Sequence, residues 1–386
     1  MPMHPSLNRI GQTMAGIAMA VALAADAQTA ATPAPATPSA PTWHIGPMQI
    51  SGFIDGYYSY NANHPSNAAN GQLNQLYNFN DKTDQFNLSA AKLTFNHDPD
   101  PVGAHLDLLY GRTDEIMNGT INADKLKYIE QAFISLKPPR ARGLEVDLGK
   151  FVSSAGAEVV ESKDNWNYSR SLLFVYAVPY FHFGLRSSFP VSKTETLGVQ
   201  LVNGWNNVSK SDGGVTAGLI SAYVKPKYTW NVNVYTGPEN LNTQNGYRNL
   251  IDSTLLLTPT TRFNAYLNYD YGQNRDKLVN NIGDNLLKHW QGVAFAVHQQ
   301  VTARAAVAGR FEYFSDPQGY TTGARQQVDE FTATAEYKWP RSLLARLEYR
   351  RDRSSINYYA KGNAPLAVNN QSTLSGSLVA FFGPKR

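Results

Sequence analysis

From Ile50 onward the chain repeats one pattern, in which short runs of strictly alternating apolar and polar residues are separated by connections that are by turns short and long. A period of two marks strands with one apolar and one polar face. Arg262–Gly272 sets Phe263, Ala265, Leu267, Tyr269 and Tyr271 against Asn264, Tyr266, Asn268 and Asp270. Val102–Gly111 sets Val102, Ala104, Leu106, Leu108 and Tyr110 against Gly103, His105 and Asp107. Sixteen such runs are predicted, near 50–60, 86–96, 102–111, 127–137, 144–150, 181–189, 195–203, 215–224, 228–236, 249–258, 262–272, 289–298, 302–314, 329–338, 343–353 and 373–382. Boundaries read from one sequence err by a few residues, so fourteen to eighteen strands stay open. The second run slips phase around Ala90 and Ala91, which predicts a bulge.

The connections decide what kind of sheet these strands form. His97–Pro101, Pro138–Gly143, Pro190–Thr194, Lys225–Lys227, Pro259–Thr261, Gln299–Val301 and Trp339–Ser342 are tight. Asn61–Gln85, Arg112–Leu126, Gln273–Lys288 and Ser354–Ser372 are long, polar and rich in Asn, Asp and Gly. Short turns on one rim and long loops on the other predict an all-β fold. It is a transmembrane antiparallel up-and-down β-barrel with short periplasmic turns and long extracellular loops. Closure pairs every backbone group, which an open sheet in lipid could not do. No segment approaches twenty apolar residues, so helical spans are not expected. Mean hydropathy is −0.38 while aromatics reach 12%, a mix that suits strands greasy on one face only. Tyr58, Tyr60, Tyr110, Tyr271, Tyr313 and Tyr349 fall on outward faces toward strand ends, as an interfacial girdle would.

Met1–Ala27 reads as a signal peptide, with Arg9 at its positive start, Met14–Ala25 as its apolar core and Ala25-Asp26-Ala27 as the cleavage site. The Ala/Pro-rich stretch 28–42 is a periplasmic spacer unable to bury a core. The barrel then occupies 43–386. The chain has no cysteine, which excludes a disulfide framework and thiolate metal sites. A net charge of +4 is too mild to imply nucleic acid as a partner; outer-membrane lipids are the partner the barrel implies. The eight histidines show no metal-ligand spacing, so neither metal nor cofactor is expected. His182 and Ser187 lie on opposite faces of one strand and offer no nucleophile–base pair, so no catalytic residue is assigned. Glu158 and Glu161 imitate a glycosidase carboxylate pair, but a solvated loop accounts for them better.

The longest interruption of the pattern is the thirty residues Phe151–Tyr180, flanked by Leu144–Lys150 and Phe181–Phe189. Loops of this length without regular structure are uncommon and usually functional. It is predicted to fold into the barrel mouth and set what passes. In the flanking strand, Phe181, Phe183, Leu185 and Phe189 alternate with His182, Gly184, Arg186 and Ser188. The thirteenth strand carries Arg304, Arg310 and Glu312 on its polar face, and the fifteenth Arg346, Glu348, Arg350 and Asp352. A lipid-facing arginine near the midplane costs about 2 to 4 kcal/mol, so these faces should line the lumen. Glu158, Glu161 and Asp164 of the loop would then face Arg304, Arg310, Arg346 and Arg350, giving a transverse field. The competing arrangement pairs Arg310 with Glu312, and Arg346 with Glu348 and Asp352. Lys150, Arg170 and Arg186 complete the set of expected constriction and lumen residues. Tyr57, Tyr235 and Tyr266 also face inward, chiefly as filler.

The run LGKFVSSAGAEVVESKDNWNYSRSLLF, followed by VPYFHFGLR and by GRFEYFSDPQG at Gly309–Gly319, resembles the OmpL-like β-barrel porins of Gram-negative outer membranes. The likeness covers most of the chain from Ile50 onward. It implies a porin-type barrel and does not identify a solute. The expected function is passive diffusion of small polar solutes or ions through a water-filled lumen. A plugged outer-membrane barrel acting as an adhesin or structural anchor is the alternative, and a soluble secreted all-β protein the third. The sequence marks no subunit interface, which leaves a homo-oligomer such as a trimer open.

Overall fold

The alternating runs become a single closed sheet. The structure, a computed structural model, describes residues 43–66, 72–119, 126–210, 214–240, 245–276, 286–340 and 342–382. The signal peptide expected at 1–27 and the spacer at 28–42 lie outside the described residues. Among those described, sixteen strands form the wall. They are β1 Met48–Asn61, β2 Gln85–His97, β3 Val102–Tyr110, β4 Ile129–Leu136, β5 Glu145–Val152, β6 Phe181–Pro190, β7 Glu195–Val202 and β8 Thr216–Lys225. Then come β9 Tyr228–Pro238, β10 Tyr247–Leu257, β11 Phe263–Arg275, β12 Leu287–Gln300, β13 Ala305–Asp316, β14 Gln326–Trp339, β15 Leu343–Ser354 and β16 Asn370–Phe382. Each pairs antiparallel with the next, and β16 returns to β1 with Thr373 opposite Asn61 and Phe381 opposite Phe53. A three-residue strand, Trp43–Ile45, folds back on β1 with Trp43 opposite Ile50.

The two faces separate as the alternation requires. On β14 and β15, Glu330, Thr332, Thr334, Glu348 and Arg350 are buried inside, while Phe331 and Leu347 are 50% and 56% exposed on the outer wall. A large exposed apolar band is unstable in water but is the solvent match for acyl chains. Tyr60 and Tyr110 are exposed near the long-loop ends of their strands, and Tyr228 and Trp339 near the short-turn ends.

The predicted bulge in β2 is present: the register against β1 shifts where Asp55 meets Ala90 and Gly56 meets Leu88. The alternation misleads at β6. It groups Phe181 with Leu185, yet Leu185 is exposed on the outside whereas Phe181 is buried among the inward side chains Phe79, Val160 and Phe174. The physical reason lies between them, at the register partners Gly149 and Gly184. Gly149 takes φ +145°, and a Cβ there would stand 2.1 Å from the Ala132 carbonyl oxygen. These glycines break the period where the chain leaves the wall for its longest loop and where it returns.

Leu347 lies near the middle of β15 on the lipid face. Leu347→Arg should cost about 2 to 4 kcal/mol in denaturant unfolding from lipid vesicles. A loss below about 1 kcal/mol would mean that this face does not meet hydrocarbon.

Candidate functional site

Residues 153–180, between β5 and β6, run inside the barrel, and most are buried there. A chain inside a barrel has no strand edge to pair with, so its backbone groups need side-chain partners. The loop supplies several itself. Asn165 accepts from Val159 N at 2.9 Å and donates to the carbonyls of Val159 and Glu161 at 2.8 and 3.2 Å. Arg170 turns back on the loop, donating to the Tyr168 carbonyl at 2.7 Å and to that of Val160. Glu158 accepts from Ser171 N at 2.6 Å. The only regular pieces are a 3-10 turn at Ser162–Asp164 and a π-helical turn at Leu173–Ala177.

The wall supplies the rest. Arg310 on β13 reaches Glu158 and the Ser169 carbonyl, at 2.6 and 2.7 Å, with Glu312 and Glu330 behind it at 2.9 and 3.2 Å. Arg346 donates to the carbonyls of Ser162 and Asn165 and pairs with Glu336 at 2.7 Å. Arg350 donates to the Arg170 carbonyl at 2.7 Å and pairs with Asp352 at 2.7 Å. Glu348 takes the backbone N–H groups of Tyr168 and Ser169. Glu312 accepts from Leu173 N at 3.2 Å. Further round the same side, on β1, Asp55 accepts from Ser162 and Tyr168, at 2.6 and 3.0 Å.

Of the predicted constriction residues, Glu158 and Arg310 come together directly, whereas the other acids go elsewhere. Glu161 pairs with Lys92, which also holds Asp107 at 2.8 Å and Glu130 at 2.6 Å. Asp164 pairs with its neighbour Lys163. Charges that touch cancel locally, so the expected transverse field is largely discharged into ion pairs. The competing pairing also holds only in part: Arg310 does meet Glu312, but Arg346 takes Glu336 in place of Glu348 and Asp352. Lys150 is buried, donating to Asn118 and to the Ile129 carbonyl, both at 2.6 Å. Arg186 pairs with Asp147 at 2.7 Å and lies over the rings of Phe133 and Phe151. Arg304 is a correction. It stands exposed on the turn before β13, where Thr302 accepts from its backbone N–H at 3.2 Å, so the strand begins one residue too late to aim it inward.

Other members of this site were not singled out from sequence. Asp55, Glu330 and Glu336 lie on inward faces of alternating runs and were as legible as Arg310. Lys92 and Glu130 sit beside register shifts, which hid their direction. A second loop also enters: Phe79 packs on Phe174 and Tyr180, and Arg350 lies 4.0 Å from the Tyr77 ring. A short hairpin, Tyr359–Lys361 with Ala364–Val368, buries Tyr359 fully.

Among the described residues, a cavity lies on each side of this layer. The one in the long-loop mouth, about 350 Å³, is lined by Tyr176, Trp205, Arg248, Trp290 and Tyr320 among others. The one toward the short turns, about 150 Å³, is lined from β5 to β8 by Asp147, Arg186, Thr196 and Gln200, with Ser154 of the loop. Among the described residues no His, Asp and Glu cluster could hold a metal.

Removing one member of a buried ion pair costs about 3 to 5 kcal/mol, because its partner is left uncompensated. Arg310→Met should therefore release the loop, read as new proteolytic nicks within 153–180 of the folded protein in micelles. Arg304→Met, on the exposed turn, should leave the digest unchanged. Identical digests of the two variants would show that Arg310 does not hold the loop.

Comparison with known proteins agrees with this geometry. The family model described as "Putative beta-barrel porin-2, OmpL-like" matches residues 47–382. No curated protein sequence matches the chain. Among solved structures, the chain is similar to the outer membrane channel DcaP of Acinetobacter baumannii, with TM-score 0.58 and 10% identity over 89% of this chain and 100% of that one. It is also similar to an anion-selective porin from Comamonas acidovorans, with TM-score 0.57 and 10% identity over 87% and 99%. A third is OmpT of Vibrio cholerae in its trimer form, with TM-score 0.55 and 11% identity over 87% and 99%. At such identities these likenesses speak for the fold, a sixteen-stranded barrel of the outer membrane. Family match, closed barrel and inward loop together make one statement: the chain belongs to the OmpL-like β-barrel porins and is a porin of the outer membrane.

Proposed function

We propose that small polar solutes and ions cross this barrel passively, along the wall from β5 to β8, where the loop makes its fewest polar contacts. The observation that carries this reading is the pair of cavities on opposite sides of the loop layer, one in each mouth. The stretch between them, where Ser154 borders the inner cavity and Val178 the outer, is the constriction. Of the expected constriction residues, Glu158, Glu161, Asp164 and Arg170 belong to the loop beside it, Lys150 and Arg186 to β5 and β6, and Arg310, Glu312, Arg346, Glu348 and Arg350 to the far wall that carries the loop. Most of these fix the loop in place, and Arg186 lines the path. The titratable groups are engaged in ion pairs and backbone hydrogen bonds, which supports a channel without catalysis. A homotrimer in outer-membrane lipid is the assembly we favour, in line with the trimer form of the Vibrio protein.

A second reading, a plugged barrel serving as adhesin or anchor, draws on the apolar packing of Phe79, Phe174 and Tyr359 inside the lumen, each at most 5% exposed. Conductance separates the two. Purified wild type should form stable, low-conductance channels in planar bilayers. Charges lining a narrow pore set its ion preference. Arg186→Gln should therefore move the reversal potential toward cations, and Arg186→Glu further in the same direction. Unchanged potentials would take the path away from this wall. Silence of the wild type would favour the plugged barrel.

A further inference from the structure

The cavity in the long-loop mouth is built from parts that three separate segments hold rigidly. Trp290, at the start of β12, lies flat across β11 because Gly272 leaves the space, and a Cβ there would stand 2.0 Å from the indole ring. Its Nε1 donates to the Ala177 carbonyl at 3.2 Å. Tyr320 stacks on that indole, with ring centres 5.3 Å apart and planes 18° apart. Asp316 fixes the segment by accepting the N–H groups of Tyr320, Thr321 and Thr322, each at 2.8 Å. Trp205 meets Trp290 edge-on at 6.1 Å, and its backbone N–H is held by both Glu239 oxygens at 3.0 Å.

Arg248 completes the cavity. Its guanidinium lies 5.1 Å from the Trp205 ring centre and 5.5 Å from that of Tyr320. It donates to the Tyr320 hydroxyl and to Asn274 Oδ1, the latter at 3.3 Å. Among the described residues no carboxylate lies within 4.0 Å of it, in contrast to Arg310, Arg346 and Arg350, each of which has one. The nearby acids are engaged, Glu239 by Trp205 and Thr216, and Asp276 by Lys288. An arginine held on aromatic faces without an acid partner presents a planar donor fork matched to a carboxylate. The surrounding rings match a flat apolar body, and about 350 Å³ falls within the usual size of small-ligand sites.

We propose that the outer vestibule binds small organic carboxylates bearing a flat apolar face, the carboxylate on Arg248 and the apolar face against Trp205, Trp290 and Tyr320. This deepens the passage reading above by naming a class of solute that is concentrated at the mouth. The test uses the full barrel in detergent micelles, with tryptophan fluorescence as readout and benzoate, acetate and benzamide as probes. Benzoate should perturb the emission at concentrations at least tenfold below those of acetate, which lacks the ring, and of benzamide, which lacks the charge. Arg248→Gln should reduce benzoate to the level of benzamide. Trp205→Leu, which keeps the cation, should reduce benzoate to the level of acetate. Heat-modifiable gel mobility confirms that each variant is folded.

Equal responses to benzoate and benzamide, or an Arg248→Gln protein that binds benzoate like wild type, would overturn the proposal. Bilayer recording keeps the two readings apart. Benzoate binding by a silent barrel would sink passage and keep the site, whereas a conducting barrel indifferent to benzoate would sink the site alone.

Discussion

The lumen of this porin is organised by one buried guanidinium. Arg310 stands among Glu158, Glu312 and Glu330 while donating to the Ser169 carbonyl. Each charge taken out of water costs several kcal/mol, and only dense, well-aimed pairing offsets that. Arginine suits the position because its planar fork serves a carboxylate and a carbonyl at once, which the point charge of a lysine cannot do. Arg346 and Arg350 repeat the device along β15, each joining a wall carboxylate to a loop carbonyl. The loop therefore hangs on β13 to β15 through its backbone, and its path depends on wall residues more than on its own propensities.

This one-sided suspension shapes the pore. Acids and bases that a free loop would hold apart across water are in contact, so little charge is left to polarise the constriction itself. The unspent polarity sits in the two mouths. Toward the long loops it is Arg248 on its aromatic bed, and toward the short turns it is Arg186 with Asp147 and the uncharged Thr196 and Gln200. On the passage proposed above, selectivity would arise at the vestibules, while the middle would fix size.

Much of this was legible in the sequence. Period two, with tight and long connections in turn, located all sixteen strands, the lipid face of those that alternate cleanly and the loop that fills the interior. The charged faces of β13 and β15 were visible because arginine on a lipid face is too costly to be accidental. Partner choice was hidden, since it depends on the exact register between paired strands: Arg346 meets Glu336 because Glu336 lies opposite it across the ladder. Phase was hidden wherever backbone overrides side-chain pattern, at the Gly149–Gly184 pair and beside Glu130. The aromatic mouth was hidden most deeply, because Trp205 and Tyr320 come from two connections and Trp290 from the start of β12, and the three share no local pattern.

The central claim is that the loop rests against β13 to β15 and leaves the β5 to β8 side for transit. Because the chain lacks cysteine, an engineered pair reports without background. Asn167 donates to Thr334 Oγ1 at 2.8 Å, which makes Asn167→Cys with Thr334→Cys the direct probe. Oxidation of that folded double variant should form an internal disulfide, read as a shifted band on a non-reducing gel, and its single-channel conductance should match that of the reduced form. Failure to cross-link, or a channel that closes when the bond forms, would contradict it.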